Sequence, residues 1–225
     1  VPQPDWHGDY RDFKKLGRPR LFFGIAPGCM DSMVNKYTAN RRLRSEDAYS
    51  PDGRHDMRPE YPTIVYAKIL KELYPDVPVV LGGIEASLRR VTHYDYWSDS
   101  LKKCRLCYSP ADMITYGMGE KTTIELARRL SNGEKISDIR DLPQTVYLAR
   151  KEEIPGGINE HDIVLHSHEE CMQNKKAQAE NFKNVEEQSN MMHAQRLLQG
   201  VDGRYVVINP PYPPMTTEEL DASLR

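Results

Sequence analysis

Three short apolar runs in this 225-residue sequence end in glycine-marked turns. The run at 21–23 leads into Gly24-Ile-Ala-Pro-Gly28. The run at 77–81 leads into Gly82-Gly-Ile-Glu-Ala-Ser87, and that at 113–116 into Gly117-Met-Gly-Glu120. Glycine lets backbone approach a bound group closely, and a helix that starts after such a turn offers free N–H groups. If the runs are parallel strands, the turns lie at their carboxyl ends, where open α/β sheets bind ligands. The same glycines would equally serve tight strand-to-helix turns with no ligand. The candidate ligand-facing residues are Gly24, Gly28, Gly82, Gly83, Glu85, Ser87, Arg89, Arg90, Gly117, Gly119 and Glu120, with Glu85, Arg89 and Arg90 supplying polar contacts. None of the turns matches G-x-G-x-x-G or GxxxxGK[ST], which speaks against nicotinamide-dinucleotide and ATP binding.

The thiols offer a second chemistry. Cys104-Arg-Leu-Cys107 is a lone CxxC, with Cys29 and Cys171 standing apart. A zinc ribbon needs a second pair, and a thioredoxin-like motif opens a helix after a strand. Neither condition is met, so the pair reads as small half-buried thiols. His166-x-His168 and Cys171 could join them around a metal, but Ser167-x-x-Glu170 already explains that segment as a capping box. His93-Tyr-Asp-Tyr-Trp97, preceded by Arg89-Arg90, could stack a flat ligand, hold a phosphate, or anchor the surface to the core through Arg–Asp pairing. Arg41, Arg42 and Arg44 read as the solvated end of a helix that Asp31 caps. No Ser/His/Asp or Cys/His arrangement has usable spacing, so no catalytic residue and no metal ligand is assigned.

The elements that must position these residues alternate. Apolar runs at 21–25, 77–81, 113–116, 145–148, 163–165 and 205–208 are separated by helical patterns, one after Pro62 and one ending at Asn132-Gly133. This predicts an α/β fold with a mostly parallel sheet and flanking helices. The capping box at Ser167 predicts a long surface helix to about Leu198. The polar stretch 45–60 exceeds the ordinary loop length of about 12–15 residues and reads as disordered or as a lid. Asn209-Pro-Pro-Tyr-Pro-Pro214 is stiff and extended. Residues 1–208 therefore read as one domain and 209–225 as a Pro-rich linker and the start of the next domain, with a helix opened by Thr216-x-x-Glu219. The chain begins on Val1 rather than methionine, which reads as a start that is missing or processed.

Composition narrows the classes. With 31 basic against 33 acidic residues the chain lacks the basic footprint of a nucleic-acid binder. No run reaches the ~18 apolar residues of a membrane span, and no secretory signal opens the chain. Four cysteines are too few for a disulfide scaffold. These features predict a soluble cytoplasmic protein with reduced thiols.

Several segments resemble the YgiQ family of radical S-adenosylmethionine proteins. They are Gly82-Gly-Ile-Glu-Ala-Ser-Leu-Arg-Arg90, His93-Tyr-Asp-Tyr-Trp-Ser98, Asp31-Ser-Met-Val-Asn35 and Tyr37-Thr-Ala-Asn-Arg-Arg42. Pro4-Asp-Trp6, residues 205–211 and Thr216-Thr-Glu-Glu-Leu-Asp221 extend the likeness over nearly the whole chain. The resemblance implies a cobalamin-binding-like α/β domain in front of a radical S-adenosylmethionine barrel. In the family that barrel holds a [4Fe–4S] cluster on C-x3-C-x2-C, a motif this sequence does not contain. The implied cofactors, the cluster and S-adenosylmethionine, would thus be bound outside this chain, and the implied partner is the C-terminal domain of the same protein. A strand and helix that precede Pro4 in the family are not found here, so the resemblance implies a Rossmann-like sheet truncated at its N-terminus. Cobalamin-binding relatives carry their axial histidine there, which speaks against cobalamin. The expected function is an N-terminal accessory domain that helps shape a cofactor and substrate crevice. The alternatives are a stand-alone cobalamin- or nucleotide-binding module and a small metal or redox protein built on Cys104 and Cys107.

Overall fold

The computed structural model describes residues 1–223. In chain order the elements are α1 (Arg11–Lys14), β1 (Phe23–Ile25), α2 (Ser32–Lys36), α3 (Pro62–Leu73), β2 (Val79–Leu81), α4 (Gly83–Leu88), β3 (His93–Asp95), β4 (Ser100–Lys102), β5 (Met113–Thr115), α5 (Glu120–Ser131), β6 (Thr145–Ala149), β7 (Ile163–Leu165), α6 (His168–Gln173), α7 (Lys175–Ser189), β8 (Leu197–Val201), β9 (Arg204–Ile208) and α8 (Thr217–Ser223).

Seven strands form one sheet in the order β1-β2-β5-β6-β9-β8-β7, and β3 with β4 makes a separate hairpin. The α/β class and the sheet flanked by helices are as expected, and all six expected strands are present. Strands β1, β2 and β5 run parallel, as do β7 and β8. From β6 onward the pairing also turns antiparallel, at β5–β6, β6–β9 and β8–β9. The reason is local: β8 and β9 are joined by the two-residue turn Asp202-Gly203, too short for a parallel crossover.

Successive strand residues face opposite layers. Val79, Leu81, Ile114, Val146, Val206 and Ile208 point into one core with Ala67, Leu70, Ala86 and Leu106. Val80 and Met113 point the other way, onto Leu126, Ile139 and Leu142. Tyr147, Leu198 and Val207 continue that second layer with Ile154. Strands covered on both faces explain the continuous apolar runs.

The expected single helix from Ser167 to Leu198 is corrected. Ser167 does form the capping box with Glu170, but the helix ends at Gln173. Asn174 is extended, and its side chain accepts from the Lys176 amide, starting α7 afresh. Residues 197–201 are then strand β8, whose Gln199 is buried. The Gln199 side chain accepts from the Thr92 amide at 2.8 Å and donates to the His166 carbonyl at 3.1 Å.

The arginines at 41, 42 and 44 are corrected too. Helix α2 stops at Lys36, so they lie beyond it; Arg41 reaches the Tyr96 carbonyl and Arg44 the Val34 carbonyl. The stretch 45–60 is tied down at several points. Trp6 Nε1 donates to the Met57 carbonyl at 3.1 Å, and buried Arg58 donates to the Pro27 carbonyl at 3.0 Å. Past β9, the Asn209 amide donates to the carbonyls of Arg140 and Leu142, so the proline-rich segment leaves from a fixed point. Thr216 and Glu219 form the expected capping box of α8; Leu224 and Arg225 lie outside the described residues.

Candidate functional site

The three glycine turns meet at the carboxyl edge of β1, β2 and β5. The Gly82 amide donates to the Ile25 carbonyl at 2.8 Å, and the Gly117 amide to Ser87 Oγ at 3.3 Å. A Cβ on Gly82 would sit 3.2 Å from Thr115 Oγ1, so the β2 turn has little room for a side chain. Gly83 opens α4, and Gly119 caps α5 with exposed Glu120 in its first turn.

The candidate residues then divide among three environments. Gly24 and Gly28 line a mostly apolar cavity of about 510 Å³ beside edge strand β1, with Phe13, Arg58, Tyr66 and Leu70. Glu85 and Arg89 belong to a buried charged network. Ser87, Arg90 and Gly117 line a separate cavity of about 290 Å³ between β5, β9 and α7.

In the network, Glu85 is 1% exposed and accepts from Thr63 Oγ1 at 2.5 Å. Buried Arg105 places Nη2 3.8 Å from Glu85 Oε1, and its guanidinium lies 5.0 Å from the Tyr61 ring centroid. Arg89 pairs with Asp31, whose carboxylate also caps α2 by accepting from the Met33 and Val34 amides. Burial would raise the Asp31 carboxyl, but the Arg89 guanidinium and those amides hold it below its ordinary value. Asp95, also buried, accepts from Ser98 Oγ at 2.6 Å and Tyr61 Oη at 3.4 Å. His93 faces Arg105 and Arg89 and donates through Nδ1 to the Val91 carbonyl at 3.0 Å. Burial, with those cations, pushes its pKa down to about 4. Sequence reading missed Thr63 and Arg105 and took Asp31 only as a cap, because no local spacing links them to Glu85 and Arg89.

The aromatic stretch 93–97 is used internally. Trp97 stacks on Tyr37 with ring centroids 3.9 Å apart. Burial pushes the Cys104 thiol up to about 12 and Cys107 up to about 11, which disfavours the nucleophilic thiolate. Cys29 is exposed, and Cys171 Sγ accepts from the Asn181 amide at 3.2 Å. Among the described residues no group of three or more His, Cys, Asp or Glu could hold a metal ion.

A family model described as "Radical SAM N-terminal" matches residues 1–225. The chain belongs to the Radical SAM N-terminal family. The resemblance to the YgiQ family stands with it. A UPF0313 protein of Bacteroides thetaiotaomicron is 60% identical over 99% of this chain and 37% of its own length. A UPF0313 protein of Porphyromonas gingivalis is 59% identical, with 35% of its length covered, and one of Methanocella arvoryzae 45% identical, with 36% covered. The Radical SAM N-terminal chain thus spans about a third of the length of the curated relatives it matches. No solved structure matches it. Among the described residues, no helix is long and apolar enough to cross a membrane.

Proposed function

We propose that this chain is the N-terminal accessory part of a longer radical S-adenosylmethionine enzyme. The carboxyl edge of β1, β2 and β5 would form one wall of that enzyme's crevice. The observation that carries the reading is the family match over residues 1–225, together with relatives about three times as long. The division of labour follows from the chain's own chemistry. Its four cysteines, at 29, 104, 107 and 171, are scattered, and among the described residues no three His, Cys, Asp or Glu gather as metal ligands, so its residues do not fit a [4Fe–4S] cluster. The cluster and S-adenosylmethionine would be bound by the remainder of the protein. Residues 209–225 would lead toward that remainder, and the stretch 45–60, braced by Arg58 against the turn that follows β1, would offer it a contact surface.

The test uses the full-length protein with its cluster reconstituted, following reductive cleavage of S-adenosylmethionine. Gly82→Val forces a side chain against Thr115, and Glu85→Ala removes the carboxylate behind the same wall. Both variants are expected to lower turnover several-fold at unchanged iron content. Undiminished turnover in both would remove this wall from the site, and no cleavage by the unaltered protein would remove the enzyme reading itself.

A further inference from the structure

Arg90 follows the last turn of α4, one residue after Arg89, but lines the 290 Å³ cavity instead of the charged network. A guanidinium carries five N–H donors. Here Nη1 donates to the Ser87 carbonyl at 2.6 Å and Nη2 to Ser189 Oγ at 3.4 Å, a long bond. Nε is buried and has no partner. Among the described residues Arg90 makes no ion pair, whereas Arg89, Arg105 and Arg196 pair with Asp31, Glu85 and Asp162. Burial lowers its pKa, with Glu186 pulling partly the other way. A half-buried cation without a carboxylate partner is costly, and its planar fork matches a carboxylate or phosphate.

The surroundings are built rather than loose. The Tyr116 ring centroid lies 4.8 Å from the guanidinium and holds it from one side. Tyr116 Oη donates to the Asn209 carbonyl at 2.6 Å, and Gln144 Nε2 donates to the carbonyls of Tyr116 and Met118 at 3.1 and 3.0 Å. Val185, Leu197 and Ile208 supply apolar walls. The volume lies at the small end of ligand pockets, about 300 Å³ upward.

We propose that this cavity binds a small organic anion, its carboxylate or phosphate gripped by Arg90 and its apolar body laid against Tyr116, Val185 and Leu197. The proposal rests on the reading of this edge as ligand-facing, but its test needs no turnover, so the two can fail separately. Calorimetric titration of the full-length protein with benzoate and with phenyl phosphate is compared with neutral benzamide. At least one anion is expected to bind about tenfold or more tighter than benzamide, the better of the two identifying the group. Arg90→Gln should lose that preference, and Arg90→Lys should keep part of it. Without ligand, Arg90→Gln should melt at the same temperature as the unaltered protein or higher. Three results overturn the proposal: neither anion binds, Arg90→Gln binds as well as the parent, or Arg90→Gln fails to fold or melts well below it. The last would mean that a carboxylate elsewhere in the full-length protein already satisfies the guanidinium.

Discussion

Arg89 and Arg90 are neighbours on one turn, yet they serve opposite arrangements. Arg89 points into a buried network where each cation meets a carboxylate, with Asp31 on Arg89 and Glu85 beside Arg105. Arg90 points into a cavity with a backbone carbonyl, a distant hydroxyl and an aromatic face for company. The first arrangement matches charge with charge, although Arg105 Nε and Nη2 and Glu85 Oε2 have no hydrogen-bond partner among the described residues, and the Arg89–Asp31 pair ties the start of α2 to the end of α4. The second has no carboxylate among the described residues, and the proposed anion site rests on that difference. The same residue type is thus a brace or a receptor according to whether a carboxylate already faces it.

The sharpest way to break this comparison is Asp31→Ala. It strands the Arg89 guanidinium and removes the α2 cap, so urea unfolding should show a loss of about 3–5 kcal/mol. A loss below about 1 kcal/mol would mean that Arg89 is no better compensated than Arg90.

The network also has a pH signature. His93 is neutral beside two guanidinium groups, and its folded pKa of about 4 lies below the ordinary 6.5. Its contribution is therefore complete above pH 6.5 and lost as pH falls toward 4. The amount is about 3 kcal/mol for a shift of this size. His93→Gln should flatten the stability profile across that window, and an unchanged slope would remove His93 from the network. The depressed Asp31 carboxyl acts with the same sign at lower pH, its contribution fading as pH falls below the ordinary carboxylate range.

On the cavity side, Gly117 has φ +68°, and a Cβ there would lie 3.0 Å from Gln144 Nε2. Gly117→Ala should cost about 1–2 kcal/mol and disturb the amide that holds the Tyr116 loop. Equal melting of the variant and the parent would show that this wall is softer than the hydrogen bonds imply.

The smallest effect belongs to Arg90→Met. Removing a half-buried charge that has no carboxylate partner should leave stability within about 1 kcal/mol or raise it, in contrast to Asp31→Ala. A large loss would place Arg90 with Arg89 among the braces.

Much of the frame was legible in the residues. Four of the six apolar runs, now β2, β5, β6 and β9, became strands because continuous apolar residues suit the inner part of a sheet covered on both faces, while β1 and β7 are edge strands each with one exposed residue. Asp31, Ser167 and Thr216 cap helices as their spacing indicates, because capping is a matter of three or four consecutive residues. Strand β8 was not legible. Gln199 and Gly200 interrupt its apolar pattern, and Gln199 is tolerated there because Thr92 and His166, distant in sequence, satisfy its amide. The break at Asn174 was hidden by residues of ordinary helical type on either side.

The site divides along the same line. The sequence by itself determined that three glycine turns follow three strands and that charged residues stand behind the second. These are local facts of backbone freedom and chain order. Only the tertiary structure decided which charges are already matched. Glu85 meets Arg105 and Thr63, and Arg89 meets Asp31, across separations of 20 to 58 residues. Arg90, with the same side chain, emerges where the fold supplies an aromatic face and a cavity instead of a carboxylate. Charge compensation depends on distance in space, which neither composition nor spacing along the chain encodes.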